Sequence, residues 1–305
     1  SEETTPLLSV GYRGLEPHRA QFTQILKDGI PIHAEMFGYP EAYYMPPLQS
    51  VDRIEFVRGG ASLMYGPQPG GALNFVTTPP RTDSPLGAYT ENSFGDDELF
   101  STYTSVSGMV DPLGYLGYVH EREGNGFRES NSDFEVIGGG LKATLGQTTS
   151  SRWTLAYDEY HEEHGEPGGL TKAVADSEGR DLTTRLHDRF RLERYYGSLI
   201  YEQELGEASQ FDFRTFGGHY RRYSKRQRGG GFGTLPSGAD ASTNSIEEQD
   251  FYTFGFEPRL RHTYGAFGQD GQTLAAGLLT YFSDSPREDQ RGGSASADSG
   301  TLRNK

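Results

Sequence analysis

The sequence predicts an all-β protein, and more narrowly a transmembrane β-barrel led by a small compact unit. Three observations carry this. Apolar residues make up only 33% of the 305-residue chain, while Gly (41), Tyr (19) and Phe (18) are abundant. A water-soluble layered domain needs closer to half apolar residues, and a disordered chain lacks aromatics. A barrel in lipid needs one apolar face per strand, a polar lumen and aromatic interfaces, which this composition supplies. Second, the chain beyond Gly87 divides into about nine strand-like segments with partial period-2 alternation. Third, its connections alternate in length. Turns at 111–114, 146–150, 206–209 and 265–271 are short, whereas polar stretches at 123–132, 161–189, 222–249 and from 283 onward read as long loops. Short turns on one side and long loops on the other describe an outer-membrane barrel.

Residues 1–80 form the compact unit. Leu7–Val10 reads as a short strand running into Gly11-Tyr12-Arg13-Gly14. Residues 21–27 read as a second strand, closed by the turn dipeptide Asp28-Gly29 and continued by residues 30–33. The aromatic, proline-broken segment 36–47 reads as a loop tip. Residues 54–58 and 72–77 read as two further strands, joined through Gly59, Gly60, Gly66, Gly70 and Gly71. Those glycines serve backbone geometry rather than ligand binding. The barrel part, 81–305, is expected to hold strands near 87–95, 98–110, 113–122, 133–145, 151–161, 190–204, 209–221, 250–264 and 272–283. In it Trp153, Leu155 and Tyr157 share one face, opposite Thr154, Ala156 and Asp158.

Four blocks, in order, resemble the plug of TonB-dependent outer-membrane receptors. They are Gly11-Tyr12-Arg13-Gly14; Leu26-Lys27-Asp28-Gly29-Ile30-Pro31; Val51 through Gly60 (VDRIEFVRGG); and Met64-Tyr65-Gly66-Pro67-Gln68 followed by GGALNFVT at 70–77. YGPQ followed by GGALNFVT is most similar to the ferric-dicitrate branch of that family. The resemblance implies a complete barrel of about 22 strands whose lumen is filled by a small α+β plug. The chain would then supply the second half of the plug (1–80) and the first part of the barrel (81–305). It also implies the partners: a ferric chelate, TonB with its inner-membrane energising complex, and outer-membrane lipid with lipopolysaccharide. No cofactor is implied beyond iron carried within the chelate, and the protein is read as a transporter, not an enzyme.

Within that frame, apical plug residues meet the substrate first. His18 and Arg19 are candidates to contact an anionic iron chelate, and Tyr39, Tyr43 and Tyr44 to pack on it; the alternative is packing against the barrel wall. The cationic run Arg221-Arg222-Tyr223-Ser224-Lys225-Arg226-Gln227-Arg228 stands out in a chain of net charge −15. It is expected where a strand passes into a long loop. Arg221, Arg222 and Arg226 would there line a cationic vestibule; the alternatives are a solvated loop or contact with lipopolysaccharide phosphates. Arg13, Glu55 and Arg58 are candidates to pair the plug with the wall, or else to hold the plug's own turns.

Several function classes are excluded or disfavoured. An acidic chain is a poor phosphate binder, so a nucleic-acid partner is not expected. There is no cysteine, hence no disulfide and no thiolate metal site. No run of about 18 apolar residues exists, so no transmembrane helix is expected. His161-Glu162-Glu163-His164 lacks the i, i+4 histidine spacing of a metalloprotease helix and reads as an acidic loop without metal. The chain starts at Ser1 without a visible signal peptide and stops at Lys305 in a polar stretch, so both ends read as truncated. Within the transporter reading, another siderophore, cobalamin or an oligosaccharide are alternative substrates. A surface β-rich binding or adhesion module is the alternative from a different class.

Overall fold

The computed structural model describes residues 9–12, 14–58, 65–66, 68–146, 150–266 and 268–305. Arg13 lies outside the described residues, as does part of the strand expected over Leu7–Val10.

The first unit is a four-stranded sheet. β1 (Gln24–Lys27) and β2 (Ile30–Pro31) form a tight hairpin, and β3 (Val51–Val57) pairs antiparallel with β4 (Ala72–Thr77). β4 lies parallel to β1, giving the order β2-β1-β4-β3. The β1–β2 turn uses positive φ at Asp28 (51°) and Gly29 (76°). A Cβ at Gly29 would sit 2.2 Å from the Arg214 guanidinium, so glycine is what lets the wall approach this turn. Gly70 and Gly71 lie backbone-to-backbone against Phe22 and Gln24: the Gly70 N–H donates to Phe22 O at 2.7 Å, and Gly71 O accepts from Gln24 at 2.9 Å. Residues 32–47 carry no regular strand, yet most are buried.

The second unit is a sheet of twelve strands that forms an open wall. In order these are β5 (Gly87–Phe94), β6 (Phe100–Val110), β7 (Leu113–Gly124), β8 (Phe134–Leu145), β9 (Ser151–Gly165), β10 (Arg189–Glu204), β11 (Ser209–Gln227) and β12 (Asn244–Ala266). Then come β13 (Gln269–Gly277), β14 (Thr280–Asp284), β15 (Arg287–Gly292) and β16 (Gly300–Asn304). Each neighbouring pair is antiparallel, the meander expected from the turn-and-loop alternation. β13, β14 and β15 all pair with β12, which makes them one long strand interrupted twice.

Three segments correct the sequence reading. β9 continues through the segment expected to leave the sheet at His161, β11 continues to Gln227, and the tail expected as a loop from 283 returns to the sheet as β15 and β16. These extensions are polar and charged because they project past the apolar belt, where alternation of hydrophobicity fades but ladder hydrogen bonds persist. The 166–188 connection also carries a short helix, α1 (Lys172–Glu178), capped by the Thr171 hydroxyl.

Side-chain alternation sorts the wall into two faces. The inner face of β10 presents Phe190, Leu192, Arg194 and Tyr196, all buried, and that of β11 presents Phe216 and Tyr220. Apart from Arg194, these join Ile25, Ile32, Tyr43, Tyr44 and Phe75 of the first unit in one hydrophobic cluster. The outer face shows Val119, Ile137, Leu141, Leu155, Phe254 and Leu260 to the surroundings. Near the short turns it carries an aromatic group, Trp153 with Tyr201 at 4.4 Å and with Phe213 at 5.8 Å. Toward the long loops it carries another, Tyr195, His219 and Tyr252, with the last two rings stacked at 4.6 Å. An apolar band between aromatic girdles is the lipid-facing signature of a barrel.

Candidate functional site: the loop-side vestibule and the plug–wall contacts

The upper end of the first unit meets the loop-side ends of β10, β11 and β12. Arg19, in a 3-10 turn with φ 47°, donates to Glu41 Oε2 at 2.7 Å and to the Tyr43 hydroxyl at 3.0 Å. The Tyr39 and Tyr43 hydroxyls are 2.6 Å apart. From the wall, the Arg222 guanidinium lies over the Tyr39 ring at 5.7 Å and pairs with Glu247 of β12. Arg226, two positions further on the same face, pairs with Glu166 at the foot of the 166–188 loop. Arg19 is close enough for its charge to act on Arg226, and Tyr43 feels both Arg19 and Arg222. Burial lowers the Arg19 guanidinium, but Tyr43 and Glu41 outweigh it and hold the group above its ordinary range. Next to this cluster is a cleft of about 510 Å³ lined by Arg226, Arg228, Arg287, Arg291 and Arg303, with Glu247 and Asp289. Such a lining suits bidentate recognition of carboxylates.

The predicted site residues divide. Arg19, Tyr39, Arg222 and Arg226 come together. His18 is in the same 3-10 turn as Arg19. Arg221 does not join them: one residue off in a period-2 strand, it points outward and pairs with Glu248 at 2.9 Å. The cationic run is strand, not loop, so its charges separate to two faces. Tyr43 and Tyr44 follow the alternative reading and pack against the wall. Tyr43 is fully buried, its ring stacked on Phe190 at 5.6 Å, and it positions Arg19. Tyr44 packs edge-on against Tyr160 at 5.2 Å. Both fill the seam between the two units because an irregular segment has no partner strand and must bury its rings against the wall. Strand alternation also splits the His161–His164 run. Glu162 and His164 face inward as a buried pair at 2.8 Å, while His161 faces outward beside Glu159 at 2.7 Å.

Contacts between plug and wall come from residues the sequence reading passed over. Lys27 pairs with Asp158 of β9, which also pairs with Arg194 of β10. Arg194 is fully buried, lies over the rings of Tyr44 (4.2 Å) and Tyr196 (4.4 Å), and donates to the Tyr220 hydroxyl at 2.6 Å. Tyr220 in turn donates to Ile32 O at 2.6 Å. Lower down, Asp28 pairs with Lys142 of β8 at 2.9 Å and accepts from the Thr77 N–H and hydroxyl. Burial would raise the Asp28 carboxyl, but Lys142 and Thr77 outweigh it and hold it below its usual range. Glu55 instead accepts from Asn74 at 3.0 Å and pairs with Arg53 at 2.9 Å, both within the plug. Arg58 is exposed at the end of β3, with its guanidinium over Phe56 at 5.9 Å. Arg194 had one legible signal, a charge at an alternate position among Phe190, Leu192 and Tyr196 of β10; Asp158 had none, because the inward side of β9 also carries Thr154, Glu162 and His164.

Residues 5–73 match the family model of the TonB-dependent receptor plug domain. That match covers most of the first unit and less than a quarter of the chain. Its fold is similar to that of the ferric citrate transporter FecA in the unliganded form, with a TM-score of 0.81 and 24% identity, covering 98% of this chain and 44% of that one. It is also similar to the pyoverdine outer membrane receptor FpvA from Pseudomonas aeruginosa, with a TM-score of 0.71 and 12% identity, covering 96% of this chain and 46% of that one. Among curated proteins it is 26% identical over 144 residues to the vitamin B12 transporter BtuB of Photobacterium profundum, covering 45% of this chain and 23% of that protein. The chain thus spans less than half the length of these relatives.

Proposed function

We propose that this chain is the chelate-facing part of an outer-membrane receptor for an anionic ferric chelate, with ferric citrate the leading candidate. The observation that supports this is the convergence of Arg19, Arg222 and Arg226 around Tyr39 and Tyr43 at the loop-side end of the lumen. Guanidinium groups present paired N–H donors that match carboxylates, and a cationic recess draws anions from solution. Iron enters only inside the chelate and leaves with it.

In this reading the chelate seats on the plug apex and inner wall. TonB, energised from the inner membrane, then pulls part of the plug to open a path to the periplasm, so no nucleotide site is needed in this chain. The outward apolar belt with its two aromatic groups supports an outer-membrane location, with the charged ends of β9 to β12 at lipopolysaccharide level. Cobalamin is the second reading, because a curated relative is a vitamin B12 transporter; a lining rich in arginine favours an anion over it.

The test is uptake in cells carrying the complete receptor. Radiolabelled ferric citrate should enter in a TonB-dependent manner, and depleting TonB should leave surface binding intact. Uptake that persists without TonB, or cobalamin uptake in place of ferric citrate, contradicts the proposal.

A further inference from the structure

Each of the three converging arginines, Arg19, Arg222 and Arg226, is already matched by a carboxylate of the protein. Arg19 is held by Glu41 at 2.7 Å, Arg222 by Glu247 and Arg226 by Glu166. The three acids come from separate elements: the plug's apical segment, β12, and the foot of the loop that follows β9. Five of these six side chains are at most a quarter exposed, and Arg226 is 40% exposed. An anion that binds these arginines must therefore compete with carboxylates that already occupy them.

We infer that Glu41, Glu166 and Glu247 are internal stand-ins for the ligand, and that a polycarboxylate displaces them, arginine by arginine, when it binds. The inference rests on the proposed anionic-chelate reading and deepens it in two ways. First, it sets specificity. A monocarboxylate gains one arginine and must dislodge one glutamate, which is an even exchange. A polycarboxylate spans several arginines from one rigid body, so the ordering entropy is lost once for several exchanges. Second, it gives binding a readout. Releasing Glu41 loosens the link between Arg19 and the apical segment of the plug. Releasing Glu166 unties Arg226 of β11 from the foot of the 166–188 loop. Glu247 keeps a second cation, Arg287, at 2.5 Å, so its displacement from Arg222 leaves it paired.

The test titrates the full-length receptor in detergent with ferric dicitrate and with iron-free tricarballylate, in the native form and as Glu41→Gln, Glu166→Gln and Glu247→Gln. Glutamine keeps the shape and removes the competing charge. Each substitution should tighten binding of both probes about 3- to 10-fold. Unchanged or weaker affinity in folded variants overturns the inference even if ferric dicitrate binds the native protein, and leaves the proposed function standing. Tighter tricarballylate binding in the variants, with no ferric dicitrate binding in any form, sustains the inference and overturns ferric citrate as the ligand. Absence of binding by both probes in every form overturns both. Because the glutamates lie on different elements, a variant that fails to fold leaves two that carry the test.

Discussion

At the residue scale, Asp158 is the position on which the plug–wall seam depends most. It lies between Lys27 and Arg194; Asp158 and Arg194 are buried, and the Lys27 side chain is 11% exposed. Removing one partner from a buried ionic group strands the others, at a cost of about 3–5 kcal/mol. Asp158→Asn should loosen the plug by about that amount, seen as faster protease cleavage of the plug in an intact barrel. Arg194→Met should cost less, because Lys27 still neutralises Asp158 and methionine fills part of the space between Tyr44 and Tyr196. His33 gives a second prediction. Its Nε2 accepts from the Ile25 amide at 2.9 Å and its Nδ1 faces Pro40 O at 2.6 Å, so both ring nitrogens are used by the neutral tautomer. Burial pushes the imidazole down to about 4. A base whose folded pKa lies below its unfolded value costs stability as pH falls, because the unfolded chain protonates first. Plug packing should therefore weaken as pH falls from about 6.5 toward 4, measured by hydrogen exchange at the Ile25 amide, and His33→Gln should flatten that dependence.

At the element scale, the loop-side ends of the strands carry the chemistry, and this is where the sequence was least legible. The meander and the apolar belt follow from alternation and turn residues: segments such as Trp153-Leu155-Tyr157 announce their face. Past the belt, both faces become polar, and Arg221–Arg226 or His161–His164 read as loop because no hydrophobic contrast remains. The ladder hydrogen bonds that keep them in the sheet leave no mark on composition. The plug's Asp28-Gly29 turn was legible as a turn, whereas its pairing with Lys142, more than a hundred residues away, was not. Around the foot of the 166–188 loop, Asp188 accepts from the Gln227 N–H. Burial pushes its carboxyl up to about 6, against the Gln227 bond and the charges of Arg185 and Lys225. An acid with a raised folded pKa gains stability as pH falls through that value. Limited proteolysis of the 166–188 loop should slow between pH 7 and 5, and Asp188→Asn should remove the change.

At the scale of the whole molecule, a single sheet serves two solvents. Its inner face closes on the plug through one shared hydrophobic cluster, and its outer face is apolar between two aromatic groups. Leu141 is 66% exposed on that outer face. Leu141→Arg should destabilise the complete barrel in a bilayer by about 2–4 kcal/mol, read by denaturant titration, whereas the same change in a water-facing loop should be nearly neutral. A comparable loss at both places would mean that the belt does not face lipid.

The central claim is that the lumen-facing arginines of β11 recognise an anionic chelate while their outward neighbour does not. Isothermal titration of the full-length receptor with ferric dicitrate tests it most directly, comparing Arg222→Gln and Arg226→Gln with Arg221→Gln. Loss of a charge-assisted contact worth about 1.5–3 kcal/mol predicts at least a tenfold weaker affinity for the first two and native affinity for the third. Equal affinity across all three variants, or a loss confined to Arg221→Gln, would contradict the account.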